Sequence, residues 1–175
     1  MAASKHRELY ILRHAKSDWD STAESDFERP LAKRGEKDAP AVGKWMHKQK
    51  LKADYIISSP ARRAKQTIHA VSKELGVSKQ DIHFNEKIYM AGVETLLQIL
   101  AECPKNTKKI LLVGHNPGLD DLLQYLVAKQ QLPFTQSGKL LTTATLARVG
   151  LTDDWSHLQR HCGDLISLTR PGDID

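Results

Sequence analysis

Apolar residues in this chain come in short bursts, and the spacing inside each burst changes along the sequence. Leu9-Tyr10-Ile11-Leu12 is an unbroken apolar run, the pattern of a strand buried on both faces. Residues 17–31 are polar and aperiodic and read as a loop, closing on Asp26-Phe27-Glu28-Arg29-Pro30-Leu31. From 33 to 50 the spacing turns helical, with Ala39, Val42, Trp45 and Met46 forming a stripe; Pro40 should kink this helix or stand near its start. Asp54–Ser58 reads as a second strand. Behind it Ser59 is a candidate N-cap and Pro60 a first helical residue. That helix carries Ala61, Ala64, Ile68, Val71 and Leu75 on one face and is closed by Gly76.

Ile82-His83-Phe84 reads as a short strand, and Val93, Leu96, Leu97 and Leu100 share one helical face before Pro104 ends that helix. Lys109–Val113 is a further buried strand. In Gly114-His115-Asn116-Pro117, Asn116 is the expected N-cap, and Pro117 opens a helix through Leu119, Leu122, Leu123 and Leu126. Residues 129–140 read as a loop, and Thr142–Val149 and Asp164–Thr169 as closing strands. Strands alternating with helices imply an α/β fold whose mainly parallel central sheet is covered on both faces, a three-layer α/β/α arrangement. A chain of 175 residues fits one domain, 1–175.

Composition narrows the setting. Hydrophobic residues at 40% and charged residues at 27% are ordinary for a globular protein. No apolar run approaches the roughly 20 residues of a membrane span. Met1–Arg7 passes into a strand without a signal-peptide core, so the cytoplasm is the expected compartment and no membrane partner is expected. Cys103 and Cys162 form no CxxC pair and are expected as unpaired thiols. The net charge of +5 is uneven, because residues 1–80 hold 17 basic against 10 acidic residues and residues 81–175 hold 9 against 11. A basic half suits nucleic acid or an anionic substrate. Aromatic content of 6% offers few stacking platforms, which favours the substrate over nucleic acid.

The candidate chemistry collects where strands end. Arg13-His14 follows the first strand, where ligands bind in open α/β sheets. The dipeptide alone means little, since Arg160-His161 follows no buried strand. Two further segments share the layout of strand, turn and functional residues: Ser59-Pro60-Ala61-Arg62-Arg63-Ala64-Lys65-Gln66-Thr67, and Val113-Gly114-His115-Asn116-Pro117. In a parallel sheet these turns emerge on one edge, so two histidines and at least two arginines converge, with helix N-termini that favour anions. Such a pocket suits a phosphoryl group. His157 and His161 are four apart and would share a helix face, but no third metal ligand is evident.

Together, Arg13-His14 after a strand, Ser59-Pro60-x-x-Arg63-Ala64-x-Gln66-Thr67 and Gly114-His115-Asn116-Pro117 resemble the histidine phosphatase superfamily, with its phosphoglycerate-mutase-like fold. Asp26-x-x-Arg29-Pro30-Leu31, the short length and Ser167-Leu168-Thr169-Arg170-Pro171 are similar to its SixA-type phosphohistidine phosphatase branch. Ala15 departs from the glycine often found there. The resemblance implies a phosphatase that works through a covalent phosphohistidine on His14, without cofactor or metal. In it Arg13 and Arg63 grip the phosphoryl oxygens, and His115 donates to them as an imidazolium. It favours Arg63 over Arg62, because the family arginine immediately precedes the alanine. It makes Arg29 and Asp26 pocket residues, against the alternative of an ion pair ordering the loop. It makes Thr142 and Thr143 candidate substrate contacts, against ordinary strand threonines. The implied partner is a phosphorylated protein such as a phosphotransfer domain, or a small phosphorylated metabolite. A phosphatase of small monoesters such as sugar phosphates, and a non-catalytic phosphoprotein-binding module, are the alternatives. The acids available to a monoesterase between residues 85 and 95 are Glu86 and Glu94.

Overall fold

The computed structural model describes residues 6–174, so the first five residues of the segment read as lacking a leader lie outside it. Ten longer elements follow in order: β1 (Arg7–Arg13), α1 (Lys33–Lys48), β2 (Tyr55–Ser58), α2 (Arg62–Leu75), β3 (Ile82–Phe84), α3 (Val93–Ala101), β4 (Lys109–Gly114), α4 (Gly118–Leu126), β5 (Leu146–Leu151) and β6 (Asp164–Thr169). The sheet has the order β3-β2-β4-β1-β5-β6. β1 to β4 pair in parallel, and β5 runs antiparallel to both β1 and β6.

Alternation along the central strands divides the core into two layers. Leu9 and Ile11 of β1 join Ile110 and Leu112 of β4 on one face, under Leu96, Leu100, Leu119, Leu122 and Leu126 of α3 and α4. Tyr10 and Leu12 join Leu111 and Val113 on the other face, under Val42, Met46, Ile68 and Val71 of α1 and α2. Both faces of β1 are apolar because both are covered, as its unbroken run required. The result is the expected α/β/α stack. No helix among the described residues is long and apolar enough to cross a membrane.

Several boundaries differ from the expected ones. α1 runs through Pro40 without starting near it, since Lys33 already lies in the helix. α2 has Ala61 as its N-cap residue and begins at Arg62, two residues past the expected start. α4 has Pro117 as its N-cap residue, yet the Asn116 side chain still accepts from the Asp120 N–H at 3.0 Å, one turn in. Thr142–Thr145 form a turn instead of the start of β5, and Ala144 has a φ of 58° within it. β-branched threonines suggested strand there, but the chain must first double back around the end of β1, where the Ala144 N–H meets the carbonyls of Arg13 and His14.

The strand register lines up the functional ends. Arg13 pairs with Gly114, and Ser58 with Val113, so β1, β2 and β4 finish in one row. The 17–31 loop returns to that row. Ser17 bridges Leu31, the Asp18 N–H donates to the Pro30 carbonyl, and the Ala32 N–H donates to the Lys16 carbonyl. Gly35 lets α1 press against this closure, since a Cβ there would stand 2.1 Å from the Lys16 carbonyl oxygen.

Candidate functional site

His14 is the first residue past β1 and is 6% exposed. Its Nδ1 lies 2.7 Å from the Ala15 carbonyl, which can only accept. Nδ1 therefore carries the proton, and Nε2 keeps its lone pair. Burial pushes the His14 pKa down to about 3, with the cations Arg63 and Arg13 and the neighbouring His115 acting in the same direction. At neutral pH His14 is a neutral imidazole with an available ring nitrogen. Ala15 is itself held in place, because its N–H donates to Thr67 Oγ1 at 3.0 Å and the Thr67 hydroxyl donates to the Arg63 carbonyl at 2.7 Å.

His115 faces His14 with ring centroids 5.1 Å apart. Its Nε2 meets Ser59 Oγ at 2.7 Å, and its Nδ1 is buried without a partner. Burial lowers its pKa to about 4, and the Arg63 cation adds to that. In the free site His115 is therefore neutral at pH 7, whereas the expected imidazolium is that of the ring as it donates to a bound phosphoryl group.

The arginines frame the pair. Arg13 donates through Nη1 to the Leu141 carbonyl at 3.0 Å, and its Nε is buried without a partner. Asn116 Nδ2 donates to the same carbonyl, while Asp120 accepts from the Leu141 N–H, so the turn entering β5 is fastened to α4. Arg63 is 6% exposed, whereas Arg62 is exposed on the neighbouring face of α2. Arg63 donates through Nη1 to the Asp26 carbonyl at 2.8 Å and through Nη2 to Asp26 Oδ2 at 3.1 Å. Its Nε is buried and unpartnered.

Asp26 is the hub of the overhanging loop. It pairs with Arg63 and Arg29 and accepts the Tyr89 hydroxyl at 2.5 Å. The Tyr89 hydrogen bond and the two arginines hold its pKa down at about 2, so it stays ionised. Arg29 also donates to Ser17 Oγ and lies 3.6 Å from the ring centre of Trp19, which is itself 71% exposed. The Asp26–Arg29 ion pair thus orders the loop and also brings Asp26 onto Arg63. Thr143 lies on the turn that abuts the Arg13–His14 corner, but its Oγ1 accepts from Arg34 at 3.4 Å near the surface.

The structure therefore brings together Arg13, His14, Arg63 and His115, with Asp26 and Arg29 one layer out. Glu86 and Glu94 are both exposed. His157 and His161 lie in turns and not on a helix, and His157 pairs with Asp154 at 2.7 Å. Sequence reasoning missed Tyr89 and gave no role to Thr67, although Thr67 stands four residues after Arg63 on the same helix face. It assigned Ser59 to capping, which hid its bond to His115. Three buried donors without a partner (Arg13 Nε, Arg63 Nε and His115 Nδ1) belong to this one cluster. Orphaned buried donors are costly, and a ligand rich in acceptor oxygens and negative charge relieves all three.

The histidine phosphatase superfamily (branch 1) matches residues 9–89. The phosphohistidine phosphatase SixA of Escherichia coli is 28% identical over 83% of this chain and 86% of its own. An uncharacterised chloroplastic protein of Arabidopsis thaliana is 29% identical over 71% of this chain, and the match spans 61% of that longer relative. Among solved structures, a protein described as the putative phosphohistidine phosphatase SixA of Agrobacterium tumefaciens superposes with a TM-score of 0.79 at 28% identity. That match covers 95% of this chain and 99% of the other.

Proposed function

We propose that this chain, which resembles the histidine phosphatase superfamily, is a phosphatase of that superfamily that removes the phosphoryl group from protein-borne phosphohistidine through a covalent intermediate on His14. One observation carries the mechanism: the Ala15 carbonyl fixes the His14 tautomer, so Nε2 presents its lone pair inside a cationic, water-poor corner. His14 Nε2 attacks phosphorus as the substrate's P–N bond breaks. The leaving ring, protonated on its far nitrogen, departs as neutral imidazole. Water then attacks the phosphohistidine, releasing phosphate and restoring neutral His14.

Arg13 and Arg63 neutralise the phosphoryl oxygens in this scheme. Two bonds to Asp26 leave Arg63 three of its five N–H groups, including the unpartnered Nε. Phosphoryl transfer demands positioning and charge stabilisation above all. Fixed guanidinium groups and the His115 donor supply both, so the reaction is assigned no metal.

The choice of phosphohistidine rests on the acids. An alkoxide leaving from a serine or sugar ester needs a proton donor, but Asp26 is held ionised, and Glu86 and Glu94 are exposed. A labile P–N bond makes no such demand. The resemblance to proteins described as SixA phosphohistidine phosphatases supports the same substrate class.

The test compares a phosphohistidine-bearing phosphotransfer protein, a phosphoserine peptide and a sugar phosphate. The phosphohistidine substrate is expected to give the highest kcat/KM, unaffected by EDTA, with labelled phosphoryl trapped on His14 and no turnover by His14→Ala. A sugar phosphate that outperforms it would replace this reading with a monoesterase, and binding without turnover would make the chain a phosphoprotein-binding module.

A further inference from the structure

The Ser59 side chain lies in a fully buried position at the end of β2 and makes two hydrogen bonds. Its Oγ accepts from the Ala61 N–H at 3.2 Å and meets His115 Nε2 at 2.7 Å. A serine hydroxyl has one proton and two acceptor positions. The Ala61 amide fills one acceptor position. If His115 donated from Nε2 into the other, the hydroxyl proton would need a different acceptor, and among the described residues Ser59 Oγ is bonded to none. The hydroxyl therefore donates to Nε2.

The consequence falls on the far side of the ring. A neutral imidazole that accepts at Nε2 carries its proton on Nδ1. His115 Nδ1 is the buried atom without a partner, on a ring 5.1 Å from that of His14. We propose that Ser59 is a positioning residue that locks His115 in the Nδ1–H tautomer, so that a neutral His115 donates to the transferring phosphoryl group without first being protonated. The role in catalysis rests on the phosphatase reading; the tautomer does not. Ser59 acts on His115 as the Ala15 carbonyl acts on His14, each fixing one ring so that its opposite nitrogen is ready, one as nucleophile and the other as donor.

This arrangement accounts for the burial of the site. A second histidine that had to be protonated in order to donate would work against the Arg13 and Arg63 cations, which disfavour the imidazolium together with burial. A donor preset by a serine avoids that conflict. Ser59 does not cap α2, because the backbone N–H that its oxygen accepts is that of Ala61 and the helix starts beyond it with no side-chain cap.

Long-range proton–nitrogen NMR of the 15N-labelled, ligand-free protein at neutral pH reads the tautomers directly, without any substrate. His115 is expected to show a protonated Nδ1 and a bare Nε2, in the same tautomer as His14. Ser59→Ala should release His115 towards a tautomer mixture while leaving the His14 signals in place, and Ser59→Thr should retain the wild-type signature. Orthovanadate binding should weaken about three- to tenfold in Ser59→Ala, the scale of one net hydrogen bond, and recover in Ser59→Thr. A protonated Nε2 in the wild type overturns the inference, as does a His115 tautomer that Ser59→Ala leaves unchanged. Failure of every phosphorylated substrate, with the tautomers as stated, would reject the phosphatase reading and leave the Ser59–His115 assignment standing.

Discussion

At the scale of single residues, the two adjacent arginines separate cleanly. Arg63 is buried with its guanidinium tied to Asp26, while Arg62 is exposed. Arg63→Ala is expected to lower kcat/KM by a factor of about 10² to 10³, the effect of losing a preorganised donor to developing charge. Arg63→Lys should recover little, because an ammonium cannot hold Asp26 with two nitrogens and still present a third to substrate. Arg62→Ala should stay within about twofold, as surface charges are worth little. Steady-state kinetics on the proposed phosphohistidine substrate decide it, and equal losses at both positions would misplace the phosphoryl site. The motif with its alanine singled out Arg63 in the sequence. What spacing could not convey was Asp26, which lies 37 positions away and reaches Arg63 only because the 17–31 loop folds back.

At the scale of elements, α2 does more than supply Arg63. Thr67, one turn on, accepts the Ala15 N–H, and Gln66 Oε1 accepts the Leu31 N–H at 2.8 Å. One helix thus fastens both ends of the overhanging loop, next to the residue whose carbonyl sets the His14 tautomer. Thr67→Val keeps the shape but leaves the buried Ala15 amide without an acceptor. The expected outcome is a loss of about 1–3 kcal/mol in urea unfolding, with kcat falling more than KM rises because the proposed nucleophile, His14, is misaligned. An unchanged kcat would show that Ala15 does not need this anchor. Element identities were legible from periodicity, and β1, β2, β3, β4, α3 and α2's Gly76 cap stand where the pattern put them. The misses fall at helix starts and at the turn before β5. There Ser59, Asn116 and Thr142–Thr145 are held by partners distant in sequence, and local capping and strand preferences give way to those bonds.

At the scale of the whole molecule, three parallel strand ends in register place two histidines in buried positions at the sheet edge, and that has a cost in acid. His14 and His115 have folded-state pKa values of about 3 and about 4, below the roughly 6.5 of an unfolded histidine. Both shifts are downward, so above pH 6.5 the rings are neutral in both states and the stability is at its full value. As the pH falls below 6.5, the unfolded chain binds protons that the folded protein refuses, and stability drops by about 1.4 kcal/mol per histidine per pH unit. The drop continues until the folded rings protonate, near 4 for His115 and near 3 for His14. His69, half-buried and also shifted down by burial, adds in the same direction. Asp26 contributes in a separate window, because its depressed pKa makes its stabilisation disappear only as the pH falls from the ordinary carboxylate range towards about 2. Two such histidines draw heavily on the 5–15 kcal/mol that holds a typical domain together. Urea midpoints are therefore expected to fall steeply between pH 6.5 and 4.5, well above the range in which Asp26 protonates. His115→Asn should flatten that slope by nearly half, and the double His14→Asn, His115→Asn variant should remove most of it. Saturating inorganic phosphate should raise the midpoints, since bound anion stabilises only the folded state. A midpoint that holds steady down to pH 4.5, or a slope that both asparagine variants leave unchanged, would mean that the two rings accept protons in the folded protein, and the neutral nucleophile proposed for the site would go with it.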